Sequence, residues 1–144
     1  MSRIFTYSFE DTTVVLYHPS VGSFTAYGEG LNEVVVARAN DSTTHEPSAD
    51  GSVLVNKIVK HNGTITLSVL RASEFEAWLN RLVKYLESAP VSEYALLEIT
   101  VRNASVGESW LGTGCSHQKM PDAPFKAQAD YRSWVFMAAD LKLQ

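Results

Sequence analysis

Residues 38–52 read RANDSTTHEPSADGS, a polar stretch set between two valine-rich segments, EVVVAR at 33–38 and VLVNKIVKH at 53–61. The stretch is too long for a tight hairpin loop and too polar to be packed inside a monomer, so its length and chemistry direct it toward another molecule. The sequence predicts a long assembly loop over residues 39–52, with Pro47 and Asp50-Gly51 as its turn signals. Asn62-Gly63 follows between 53–61 and 64–70. Both residues tolerate the positive φ that a type I′ turn needs, so these two strands are expected to form a hairpin with each other.

Outward from that stretch the pattern is one of short strands and a single helix. Residues 64–70 alternate, with Ile65, Leu67 and Val69 on one face and Thr64, Thr66 and Ser68 on the other. Residues 4–9, 13–17 and 24–27 read as further strands, separated by Glu10-Asp11-Thr12, His18-Pro19-Ser20 and the break Gly28-Glu29-Gly30. Residues 73–87 predict a helix. Ser73 and Glu76 form a capping box, and Phe75, Trp78, Leu79, Leu82, Val83 and Leu86 recur at helical spacing on one side. Glu74, Glu76, Asn80, Arg81 and Lys84 are expected on the opposite, wet side, and Pro90 stops the helix. Strands at 94–102, 108–120 and 131–141 complete the chain, with a turn at 103–107 and a proline-containing crossing through Pro121 and Pro124. Runs of strands with one helix indicate an α+β fold that is mainly β, an antiparallel sandwich or barrel-like sheet, in one domain over residues 1–144.

Composition narrows the function. The chain is 45% hydrophobic and 19% charged, which is the balance of a globular domain. Its net charge is −4 and it carries no cluster of Lys and Arg, so tight binding to phosphates is not expected. The first residues, MSRIFTYSFEDTT, contain no apolar run of signal-peptide or membrane-span length, and Cys115 is the sole cysteine. A reducing cytoplasm and no membrane anchor are the expectation. The Asn-x-Ser/Thr matches at Asn40, Asn62 and Asn103 read as chance occurrences in turns.

The chemistry-bearing residues form no reactive constellation. His18, His45, His61 and His117 are scattered, and only Cys115 with His117 could share a strand face as two ligands, too few to hold zinc. Cys115 lies between Gly114 and Ser116 with no basic neighbour to lower its pKa, so neither a nucleophile nor a metal site is expected. Glu74, Glu76 and Glu87 are accounted for by a helix, and Glu10 with Asp11 by a turn. Trp78 and Trp134 belong to the core pattern. Trp110, between Glu108-Ser109 and Gly112, is the tryptophan that could lie at an interface, or stack on a ligand or sugar.

In order and spacing the chain resembles the small tail tube proteins of contractile-tailed bacteriophages and phage-tail-like particles. The resemblance is carried by Asp50-Gly51-Ser52 with Asn56-Lys57, by Asn62-Gly63-Thr64-Ile65-Thr66-Leu67, by Ala72-Ser73, by Lys119-Met120-Pro121-Asp122 and by Arg132-Ser133-Trp134-Val135-Phe136. It implies a subunit without catalysis or cofactor, assembled as hexameric rings that stack into a hollow tube in the virion tail, after assembly in the host bacterial cytoplasm. Implied partners are further copies of the chain and the sheath, tape-measure, baseplate and tail-terminator proteins, with DNA passing through unbound. The interface is expected to use Asn40, Asp41, Ser42, Thr43, Thr44, His45, Glu46 and Asp50 of the loop together with Trp110. The alternatives are a monomeric β-sandwich module for a ligand or carbohydrate, and a tube protein of a type VI-like injection machine. Apolar residues on both faces of 33–38 and 53–60 fit strands covered by other subunits.

Overall fold

The computed structural model describes residues 3–28 and 30–144; Met1, Ser2 and Glu29 of the expected Gly28-Glu29-Gly30 break lie outside it. Alternating segments form the strands β1 (Thr12–His18), β2 (Gly22–Ala26), β3 (Leu31–Arg38), β4 (Thr43–Pro47), β5 (Val53–Lys57), β6 (Gly63–Leu70), β7 (Leu97–Asn103), β8 (Glu108–His117) and β9 (Tyr131–Leu143). Helix α1 spans Glu74–Ser88, and a single turn α2, Val91–Tyr94, follows it. Seven strands make one antiparallel sheet in the order β2-β1-β7-β8-β9-β6-β3, and β4 and β5 pair only with each other. The fold is therefore the antiparallel, mainly β arrangement with one main helix that the sequence predicts.

Period-two burial explains the core. Val14 and Leu16, Ile65, Leu67 and Val69, Leu97 and Ile99, and Trp134 and Phe136 all point inward with at most 1% exposure. They meet Phe75, Trp78, Leu79, Leu82, Val83 and Leu86 of α1 in one cluster, where Phe24 stacks on Phe75 at 5.1 Å. Each such side chain contributes roughly 1.5–3 kcal/mol on burial. The sheet curls: β3 and β7 stand four places apart in the strand order, yet both line one groove. Midway along β8 and β9 the inward positions jump together, from Gly112 to Cys115 and from Ala138 to Leu141. Gly114 takes φ 62° at the jump, and a Cβ there would lie 2.9 Å from that of Ala139.

At the start of α1 the Ser73 hydroxyl accepts the Glu76 N–H at 3.2 Å, as a capping box requires. Glu76 departs from the expected wet face. It is 4% exposed, accepts the Ala72 N–H at 2.9 Å, and lies 2.8 Å from Arg71 Nη1 and 3.3 Å from Arg132 Nη1. Arg132, itself 5% exposed, also donates to Asn80 and to the carbonyls of Pro121 and Asp122, which ties the crossing segment to the helix. The periodicity could not show this, because one of the two partner cations, Arg132, comes from a strand distant in sequence.

Three further expectations are corrected. Residues 4–8 form no strand, and both edges of β1, the strand that follows them, are taken by β2 and β7. Ile4 and Phe5 are left 89% and 88% exposed. Asn62-Gly63 is not a hairpin turn: β6 pairs with β3 and β9, never with β5. Gly63 serves close approach instead, since a Cβ on it would sit 2.3 Å from the Ala37 carbonyl oxygen. The polar stretch is not an irregular loop either. It supplies β4, whose partner β5 stops at Lys57 rather than running on to His61.

Candidate functional site

The two ladders β3/β6 and β4/β5 are successive parts of one ribbon. Arg38 faces Gly63 at the end of the first, Thr43 faces Lys57 at the start of the second, and Ala39 N–H to Asn62 and Ile58 N–H to Ser42 bridge the elbow between them. The chain reverses at Ser48–Ser52. There the Asp50 carboxylate accepts from the Ser48 hydroxyl and the Ser52 N–H, and these hydrogen bonds lower its pKa to about 2. The outer ladder projects beyond the sheet by its own five pairs, about 17 Å at ~3.3 Å per residue.

The expected interface residues divide between two places. Asn40 lies at the elbow, its Nδ2 donating to Asn62 Oδ1 at 2.7 Å. Asp41 and Ser42 follow it, exposed. Thr43, Thr44, His45 and Glu46 are on β4, all exposed, and Asp50 is in the tip. Trp110 is elsewhere: on β8, half-buried, with its indole N–H donated to Glu108 at 3.0 Å and the Arg38 guanidinium 5.7 Å from its ring centre. Arg38 is held there by two hydrogen bonds to the Leu141 carbonyl, at the root of the arm.

The arm has two chemically different faces, which the register fixes. Thr43, His45 and Pro47 stand opposite Lys57, Val55 and Val53, giving one apolar face that carries a cation and no carboxylate. Thr44 and Glu46 stand opposite Asn56 and Leu54 on the other. Val53, Leu54 and Val55 are 51%, 62% and 59% exposed, a run of large apolar side chains in water. The expected interface residues include the polar strand of this arm but none of its apolar strand, which the sequence marked only by apolar residues on both faces of 53–60.

Trp110 belongs to a groove of about 370 Å³ between β3 and the β7–β8 turn. Val34, Val36, Val101 and Trp110 give it apolar walls, and Glu33 and Glu108, both exposed, are among the residues that line it. No group of three or more His, Cys, Asp or Glu side chains converges as metal ligands among the described residues. Cys115 is buried, which pushes its thiol pKa up to about 12, and His117 lies 3.8 Å from Glu87 with its ring tilted against that of Tyr94 at 5.9 Å. No helix of the described residues is long and apolar enough to cross a membrane.

Comparison with known proteins follows the same line. The sequence model of the bacteriophage PhiTE tail tube protein family matches residues 4–144. Among solved structures, a chain of the anti-feeding prophage cap, described as the AFP tube terminating cap, superposes with TM-score 0.61 at 12% identity, over 100% of this chain and 94% of that one. A chain of the PVC extracellular contractile injection system, from its sheath–tube complex in the extended state, gives 0.60 at 14% identity, over 97% and 92%. A chain of the PVC sheath/tube terminator gives 0.60 at 12%, over 99% of each. At such identities the likeness is one of fold. No individually curated protein sequence matches the chain.

Proposed function

Because the chain belongs to the bacteriophage PhiTE tail tube protein family, we propose that it is a subunit of hexameric rings that stack into the tube through which genome DNA leaves the capsid. The observation that carries the finer part of this reading is the projecting arm. A two-stranded ribbon with Val53, Leu54 and Val55 more than half exposed buries almost nothing on its own chain, and an isolated hairpin is at best marginally stable in water. A neighbouring subunit gives that surface something to cover it. The interface in this reading comprises Asn40 to Glu46, Asp50 and the apolar strand behind them, with Trp110 at a second contact. The role is structural, and the sheath, tape-measure, baseplate and tail-terminator proteins are its other partners in the virion tail, after assembly in the host cytoplasm.

The arm separates folding from assembly. Replacing residues 43–57 by a short Gly/Ser linker removes both outer strands and leaves the seven-stranded sheet complete. Loop-closure cost changes slowly with length, so the variant should melt within a few degrees of the parent while forming no rings or tubes in negative stain. Polymerisation like that of the parent would falsify the interface role of the arm. A parent that stays monomeric at high concentration would instead favour a monomeric binding module.

The conduit reading also predicts an absence of affinity. A basic inner wall would hold phosphates through many salt-dependent contacts, whereas a subunit of net charge −4, repeated around a tube, repels them. Fluorescence titration with duplex DNA near physiological salt is expected to show no binding. A micromolar, salt-sensitive affinity would point to a DNA-binding role.

A further inference from the structure

We propose that residues 4–7 are a strap that closes antiparallel on the free edge of β3, adding an eighth strand to the sheet of the free subunit. The inference goes beyond the tube reading and does not depend on it. Among the described residues β3 ends the seven-stranded order, with β6 as its one ladder partner. The Ala39 N–H donates to the Asn62 carbonyl, one step beyond the Arg38/Gly63 pair, and this fixes which residues of β3 bond to β6. Bonded and non-bonded pairs alternate along an antiparallel ladder, so Ala37 and Val35 bond to β6 while the amides of Val34 and Val36 turn to the open side. Unpaired edge amides of this kind are a template for another strand.

The strap already lies beside that edge. Tyr7 and Phe9 line the same groove as Asn32, Val34 and Val36. Ser8 is anchored at its end, its N–H donating to Ser105 Oγ and its carbonyl accepting from Asn103 Nδ2, each at 3.3 Å. Ahead of the anchor Ile4, Phe5 and Tyr7 are 89%, 88% and 64% exposed. A Cβ on Gly28 would lie 3.8 Å from Glu10 Cα, so the chain running back from Glu10 and β3 running forward from Gly28 leave one point together, which makes the pairing antiparallel. Residues 4–7 span about 13 Å at ~3.3 Å per residue, the reach from Asn32 to Val36. Chemistry matches on both faces. Residues two apart share a strand face, so Phe5 follows Tyr7 toward the groove and Val36, while Ile4 takes the outer face, where Val35 is 44% exposed. Closed, the strap covers an edge that another chain could extend, and it guards the free subunit against edge-to-edge pairing.

Amide hydrogen exchange, read by NMR on dilute protein that sediments as a monomer, tests the strap residue by residue. Deleting residues 3–6 leaves Tyr7 and the Ser8 anchor in place. The amides of Val34 and Val36 are expected to exchange about tenfold or more faster in this variant than in the parent, while Val35 and Ala37, bonded to β6, keep their rates. If the deletion loosens Val35 and Ala37 as well, Phe5→Asp, which keeps the chain length, carries the same test on the same amides. Equal rates at Val34 and Val36 in parent and variant overturn the proposal. Protection that appears only as the parent's concentration rises overturns it too, because a second copy then fills the edge. The deletion should also let species larger than a monomer sediment where the parent gives none; faster exchange without such species keeps the eighth strand and overturns its guarding role.

Discussion

Phe136→Ala is expected to lose about 3–5 kcal/mol of stability, the range for emptying a large aromatic site in a packed core. The ring is 0% exposed and lies on the interior strand β9, opposite Ile65 on one neighbour and His117 on the other. Neither neighbour can move into the space without leaving its ladder, so the cavity stays open. At roughly 3 °C per kcal/mol for a domain of this size the melting temperature should fall by about 10–15 °C. Ser133→Ala, on the exposed face of the same strand, should stay within about 0.5 kcal/mol. Calorimetry of the pair checks this, and a parental melt for the Phe136 variant would mean that the inner face of β9 has been misassigned.

Glu76→Ala should cost a similar amount for a different reason. The carboxylate is 4% exposed and is shared by Arg71 and Arg132, and removing it strands the Arg132 charge, 5% exposed, with only neutral partners. Breaking a buried pair from one side costs about 3–5 kcal/mol, while replacing both partners by apolar groups of similar volume is far milder. The double variant Glu76→Leu/Arg132→Met is therefore expected to be more stable than Glu76→Ala. If the single variant melts like the parent, or the double variant is the worse of the two, the cluster is not the electrostatic tie described.

What could be read in the sequence is what is governed locally. The six apolar positions of α1, its Ser73 cap and the alternation of β6 are properties of neighbouring residues, and each is found as expected. Asn62-Gly63 misleads for the complementary reason. The dipeptide fits a tight turn, yet pairing of β6 with β3 and β9 takes it into extended backbone, and the reversal is made at Ser48–Ser52 around Asp50. Residues 4–8 have a strand-like composition, but the strand next to them in sequence, β1, is paired on both edges, which only the complete sheet can decide. Trp110 was recognisable as a semi-exposed aromatic. Its companions Val34, Val36 and Val101 were not, because they come from strands distant in sequence that meet through the curl of the sheet.

The position of β9 imposes an order of events on synthesis. It is the last strand of the sheet in sequence and sits between β8 and β6. Before it emerges from the ribosome, β2-β1-β7-β8 and β6-β3 are two separate pieces, each with an unpaired apolar edge where β9 will lie. Neither piece can close the core alone, so cooperative folding waits for that strand and then proceeds through non-local pairings, which makes it slow. The nascent chain is consequently the stage most exposed to aggregation and to chaperone capture. The groove between β3 and the β7–β8 turn draws on both pieces, so it is complete only after this closure.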